Sequence, residues 1–282
     1  MPIIDDIYDT IYSTGETISI TSSPVRILIQ SGTYAGFTIG GTVDGGVLIE
    51  VEPNTVFSSA LTFSGDNITM RAGTGTTFQG DTTMSGANNA MLCENGCTFD
   101  TSFFIQGSKN ILDGGGKDTI VTDTVDISSA GSDCVICNIS LDSGADATGL
   151  NTLESDGARC LFYNIKINDS DGTGFQIAAG NNQKIVSCHN VTSGVTAIQL
   201  NTDANIVFAN NLFAVAGQSG VNIDTTNDDN IVVSNVIHTT AAGVNITGAG
   251  AADNIVAGNR SETAVTDSGT SSTVANNETG AI

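Results

Sequence analysis

Paired carboxylates are the groups in this sequence best suited to chemistry. Asp169 and Asp171, in Asn168-Asp169-Ser170-Asp171-Gly172, follow Asp142 at a distance of one repeat. Two carboxyl groups flanking a glycosidic bond, one protonated and one ionised, suffice to hydrolyse it. An enzymatic reading would therefore rest on Asp142, Asp169 and Asp171. The same acids, or Asp224 with Asp228 and Asp229, offer the hard oxygens that calcium takes. No repeated acidic nonapeptide accompanies them, and solvated turn acids are the simpler reading. Cys93-x-x-x-Cys97 has the form of half a zinc site without a second half. No metal and no cofactor are expected.

These groups sit in a repeat. Asn230-Ile231-Val232-Val233-Ser234-Asn235 is preceded by Asn205-Ile206-Val207-Phe208-Ala209-Asn210 and followed by Asn254-Ile255-Val256-Ala257-Gly258-Asn259, at spacings of 25 and 24 residues. Such a period is the signature of a solenoid. With Asn230 as position one, position two reads Ile27, Val47, Ile68, Met91, Ile111, Cys134, Cys160, Ile185, Ile206, Ile231, Ile255 and, weakly, Thr273. Strand alternation places positions two and four on one face, read here as inward. Asp113 breaks the position-four row, in Asp113-Gly114-Gly115-Gly116. Cys134 and Cys160 share position two and are the pair to check for a disulfide; the cysteines otherwise read as small apolar groups in reduced form.

Position six carries Asn138, Asn164, Asn210, Asn235 and Asn259, an amide ladder once coils stack. A further row, Asn151, Gln176, Gln199, Asn222 and Asn245, alternates with apolar residues and faces outward. It could hydrogen-bond a glycan, although amides on an exposed strand are also ordinary. Position three is then an outward row, yet it holds Leu92, Leu112, Val135, Leu161, Val186, Val207, Val232 and Val256. Strand propensity alone would favour valine there. The alternative is an interface, since long exposed apolar rows are uncommon in monomers. Side-by-side packing of identical rods, most simply a trimer, would cover it; so would a flap or a second protein.

Three short strands in about 22 residues, with an Asn ladder at one turn, describe an all-β chain: a parallel β-helix of about 12 coils over residues 20–282, right-handed by the resemblance given below. At the ~4.8 Å strand spacing this is a rod of roughly 55 Å. Residues 1–19 read as an N-terminal cap or docking segment. Within them Pro2–Tyr12 is predicted helical, with Ile3, Ile7 and Ile11 on one stripe. From about residue 20 to 280 the chain resembles the right-handed β-helix, pectin-lyase-like superfamily, and Ile27-Leu28-Ile29-Gln30-Ser31-Gly32-Thr33-Tyr34 looks like its first coil. The resemblance implies that Asn-Thr-Asp, Asp-Asp and Gly-His-Gly motifs would mark a polygalacturonase-like enzyme. Asn201-Thr202-Asp203 and Asp228-Asp229 occur in that order, but they fall in turns and no Gly-His-Gly follows. The fold also resembles β-helix proteins of tailed-phage virions: decorations, fibres and tailspikes.

Thirty acidic against eight basic residues give a formal charge of −22, which excludes phosphate-backbone binding. No apolar run reaches the 18 residues of a membrane-spanning helix. Met1–Thr14 contains Asp5, Asp6 and Asp9 and no Lys or Arg, unlike a secretory signal. Assembly into a particle released by lysis needs no such signal. The expectation is a non-enzymatic structural protein of a tailed-phage virion, made in the host cytoplasm. It would be a trimeric capsid-surface decoration or fibre that meets other virion proteins, with a host surface glycan as a further partner. The alternatives are a tailspike-like polysaccharide depolymerase and a carbohydrate-binding adhesin.

Overall fold

The computed structural model describes residues 8–13, 18–20, 25–35, 37–39, 46–144, 151–169, 172–215 and 217–282. The chain is an all-β parallel solenoid of about 11 turns and of the right-handed type. Two compact units, Met1–Ser140 and Leu141–Ile282, divide it.

In the first unit each coil contributes a long, a very short and a three-residue strand. Val47–Val51, Val56–Phe57 and Leu61–Phe63 form one coil, followed by Ile68–Ala72, Thr77–Phe78 and Thr82–Met84. All pairings are parallel and in register, so identical side chains stack. Ile27, Ile49, Met70, Met91, Leu112 and Ile136 form one buried row. Phe57, Phe78 and Phe99 form another, with successive ring centroids 5.2 and 4.5 Å apart and planes within 10° of parallel. Offset stacking of this kind adds about 0.5–1.5 kcal/mol per pair beyond burial.

The N-terminal helix is not what the described residues show. Residues 1–7 lie outside them, and Thr10–Tyr12 is a strand paired in parallel with Ile27–Ile29. The exposed edge of Val25–Ile29 supplies the reason. Three backbone partners there satisfy more polar groups than one further helical turn would, and Thr10 and Ile11 are β-branched.

In the second unit Lys184–Val186, His189–Ser193 and Ile198–Leu200 make one coil; Ile206–Phe208, Asn211–Ala214 and Val221–Ile223 make the next. Phe162, Ile185, Val207, Val232 and Val256 form the buried row of the first strand. This corrects the inward frame. Leu112, Val207, Val232 and Val256, expected to face out, are each fully buried.

A buried amide sets the frame. Lys109, Ala204, Asp229 and Asp253 adopt left-handed φ of 53–59°, and each is followed by an asparagine no more than 1% exposed: Asn110, Asn205, Asn230 and Asn254. The left-handed residue turns the chain, and the asparagine points inward to satisfy the turn. Asn110 donates to the carbonyls of Gly86 and Gly107 at 2.9 and 2.8 Å. With the asparagine inward, alternation sends the next residue out and the one after it in. The sequence frame had aligned Met91 with Ile111 and Ile231, whereas Met91 pairs with Leu112. Asp113 is therefore an outward residue and breaks no core row. The glycines after it are dictated by neighbours: Gly115 has φ 68°, and a Cβ there would lie 2.1 Å from the Cys93 carbonyl oxygen.

Candidate functional site

Once the frame is fixed, the outer side of the first strand can be read residue by residue. In the second unit two outward rows run in register. One is Leu161, Lys184, Ile206, Ile231 and Ile255; the other is Tyr163, Val186, Phe208, Val233 and Ala257. Nine of these ten are apolar, and Lys184 is the only charge. Tyr163, Phe208 and Ile255 are 45%, 42% and 40% exposed. Large side chains at such exposure, adjacent over five coils, make a patch rather than the scattered hydrophobics of an ordinary surface.

The outward rows of the first unit differ in kind. They include Arg26, Leu48 and Thr69 in one row, and Leu28, Glu50, Arg71 and Leu92 in the other. Glu50 and Arg71 form an ion pair at 3.7 Å, and the Tyr8 hydroxyl donates to Glu50. Arg26, Glu50, Arg71 and Asp113 interrupt the first unit's outward rows, of which Leu48, Ala90, Ile111 and Val135 are apolar members, so the acid-free apolar face lies in the second unit. Of the eight residues expected at an interface, Leu92, Val135, Leu161 and Val186 lie outward and partly buried, and the other four are core. Tyr163, Ile206, Phe208, Ile231, Val233 and Ile255 are the outward residues of this face that the sequence frame did not place there. The left-handed residue followed by Asn, repeated in Ala204-Asn205, Asp229-Asn230 and Asp253-Asn254, would have located them.

The amide row lies outward on the third strand. Gln176, Gln199, Asn222 and Asn245 stand in register, and the row begins with Glu154, not Asn151. Asn151 precedes the strand and donates to Glu154 Oε2 at 3.2 Å. Within the row Asn222 Nδ2 donates to Gln199 Oε1 at 3.0 Å, and Asn245 Nδ2 to Asn222 Oδ1 at 2.8 Å. These amides satisfy one another along the coil axis and keep further donors and acceptors toward solvent.

Two inner ladders exist. In the expected one, Asn210 N–H donates to Asn235 Oδ1 at 2.9 Å, Asn235 N–H to Asn259 Oδ1 at 3.0 Å, and Asn259 N–H to Asn277 Oδ1 at 3.0 Å. Cys188 opens this run, its N–H donating to Asn210 Oδ1 at 2.8 Å. Asn138 and Asn164 are not rungs. They take the left-handed place, at φ 54° and 53°, and the rung positions fall to buried Ile139 and Ile165. The Asn138 amide instead donates to Asp113 Oδ1 at 3.0 Å. The second ladder, through Asn205, Asn230 and Asn254, was not read as one from sequence.

Among the proposed carboxylates, Asp142 accepts from Asn168 Nδ2 at 3.3 Å. Asp171 and the side chain of Asp169 lie outside the described residues. Among the described residues no group of three or more His, Cys, Asp or Glu is placed to hold a metal ion. All six cysteines are free thiols. Cys134 and Cys160 both occupy the second-ladder position, where Cys134 Sγ lies 3.5 Å from the Gly107 carbonyl oxygen. Burial, with the charge of Asp113 second, pushes Cys137 up to about 11, and burial pushes Cys188 up to about 12.

Comparison of the chain with protein-family models and with curated proteins gives no match.

Proposed function

We propose that this chain is a non-enzymatic structural protein of a tailed-phage particle, a capsid-surface decoration or fibre whose copies pack side by side, three about an axis, through the outer apolar face of the second unit. The observation that carries the reading is that face, centred on Tyr163, Phe208 and Ile255. Copies of a chain with a charge of −22 repel one another. A contact between copies therefore needs a surface that removes apolar groups from water without bringing carboxylates together. The two rows meet that condition, since they contain no acidic residue.

Magnitude favours a particle over free association. Five coils at ~4.8 Å, about 10 Å wide, give roughly 240 Å² per copy; two such faces at ~25 cal/mol/Å² contribute about 12 kcal/mol. Association costs about 4–15 kcal/mol. Such a contact is marginal between free molecules and sufficient between molecules already held at high local concentration. Sedimentation equilibrium over a wide concentration range tests this. Concentration-dependent association of the wild type, lost in Phe208→Asp/Ile255→Asp with the fold intact, is the expected result. Equal association of that variant, or a wild type that stays monomeric even when arrayed on a multivalent scaffold, overturns it.

The amide row supports a second reading, a glycan-binding face. Gln199→Ala/Asn222→Ala would then abolish binding to surface polysaccharide and leave association unchanged; undiminished binding sinks it.

A further inference from the structure

Cys93 and Cys97 flank one corner of the first unit. Cys93 ends the strand Ala90–Cys93, and Cys97 immediately precedes Thr98–Phe99. Both belong to the interior, 7% and 0% exposed. Only Glu94, Asn95 and Gly96 separate them, and Gly96 takes φ 87°, so the chain turns sharply and returns Cys97 beside Cys93. The two thiols lie close enough to share a hydrogen bond.

Neighbouring coils hold no sulfur at these places. Ala72 pairs with Cys93, and Val51 with Ala72. The position of Cys97 is filled there by Thr76 and Thr55, whose hydroxyls close their own corners on the Gly73 and Glu52 carbonyls, each at 2.7 Å. Cys97 does not take over that part. Its sulfur lies 3.4 Å from the Gly73 carbonyl oxygen and 3.8 Å from that of Ala72, both in the preceding coil. The Glu94 carbonyl of its own corner is taken by Thr119 Oγ1 at 3.3 Å. The Glu94 carbonyl is therefore closed without Cys97, whose thiol donates to the Gly73 carbonyl instead and lies beside that of Cys93. The bond from Cys93 holds the Cys97 thiol below its ordinary value, while that bond and burial push Cys93 up. Cys97 is thus the more readily ionised of the two thiols, and the thiolate is the form that reacts.

We propose that Cys93 and Cys97 are a redox-active pair that closes to a disulfide across this corner when the protein meets a hydroperoxide. One sulfur takes the terminal peroxide oxygen and becomes a sulfenic acid as the O–O bond breaks. The other sulfur then displaces that oxygen as water. Two thiols are oxidised by two electrons, the peroxide is reduced by two, and the S–S bond replaces two S–H bonds. A chain completed in a reducing cytosol would carry the pair open and close it after release.

The test uses the folded full chain. It is treated with hydrogen peroxide, denatured in iodoacetamide and cleaved after Arg and Lys. The peptide Ala72–Lys109 contains Cys93 and Cys97 and no other cysteine. The expected result is that this peptide becomes lighter by two hydrogens, takes up no alkyl group, and recovers two alkylation sites after dithiothreitol. Cys97→Thr, which installs the residue of neighbouring coils, should fold normally and leave Cys93 open to alkylation or irreversible oxidation. Two alkyl groups on the wild-type peptide after peroxide, or its linkage to a different peptide, overturns the proposal.

Discussion

At the scale of single residues, the ladders show how a polar side chain can be a core residue. Asn235 Nδ2 donates to the Val207 and Val233 carbonyls, each at 3.1 Å, and its Oδ1 receives Asn210. Asn235→Ala leaves several buried groups without partners, which costs about 2–3 kcal/mol; urea unfolding should show that loss with an unchanged m-value. Cys188 offers the converse experiment. It stands where the following coils have Asn, and its sulfur lies 3.9 Å from the Phe162 carbonyl oxygen that an amide would reach. Cys188→Asn extends the ladder by one rung and should stabilise by about 1 kcal/mol. It also removes a titration. The thiol is pushed up to about 12 by burial, so the folded state keeps its proton where the unfolded state loses it. Stability is full below about pH 9 and falls toward pH 12, by at most ~1.4 kcal/mol per pH unit. Denaturation midpoints between pH 8 and 11 should fall more steeply for the wild type than for Cys188→Asn.

At the scale of elements, what was legible in the sequence and what was not divide at the left-handed residue. The period, the parallel coils, the stacked asparagines at Asn210, Asn235 and Asn259, and the outward amides at Gln176 to Asn245 all follow from spacing, and all are present. The face of the first strand does not follow from spacing alone. Ile-Val-Val carries no alternation of its own, because all three residues are apolar, so either frame satisfies a hydrophobic pattern. A conformational fact decides it: Asp229 at φ 58° ahead of the buried Asn230. Val207, Val232 and Val256, read as outward from the sequence, are therefore core residues. Two adjacent substitutions test the frame. Val207→Asp buries an unpaired carboxylate and should cost more than about 4 kcal/mol, whereas Phe208→Asp should shift stability within about 0.5 kcal/mol. Chemical denaturation of both variants checks this, and equal effects would return the frame to the one read from sequence.

At the scale of the molecule, charge and apolar surface oppose each other. Thirty carboxylates on 282 residues keep copies apart, and one acid-free face in the second unit favours contact. Added salt screens the repulsion, with a Debye length near 10 Å at 0.1 M, and leaves the apolar contact intact. Association should therefore strengthen as sodium chloride rises from 20 to about 300 mM, and light scattering over that range reads it. Weakening with salt would mean that ion pairs, through Lys184 and its neighbours, hold the copies instead.

The second ladder makes length a separable property of this chain. Asn205 and Asn230 are successive rungs 25 residues apart, and each follows a left-handed residue. Removing residues 205–229 joins Ala204 to Asn230. The Gln183 N–H then meets an Asn230 oxygen where it had met that of Asn205. Ile185 comes to lie against Val232, Cys188 against Asn235, and Gln199 against Asn245, pairs of the same kind as before. The excised protein should fold with unchanged circular dichroism per residue, whereas removal of half that segment should leave no native state. Insertions and deletions in such a chain are counted in whole coils, and a protein of this design can be lengthened or shortened without redesigning its core.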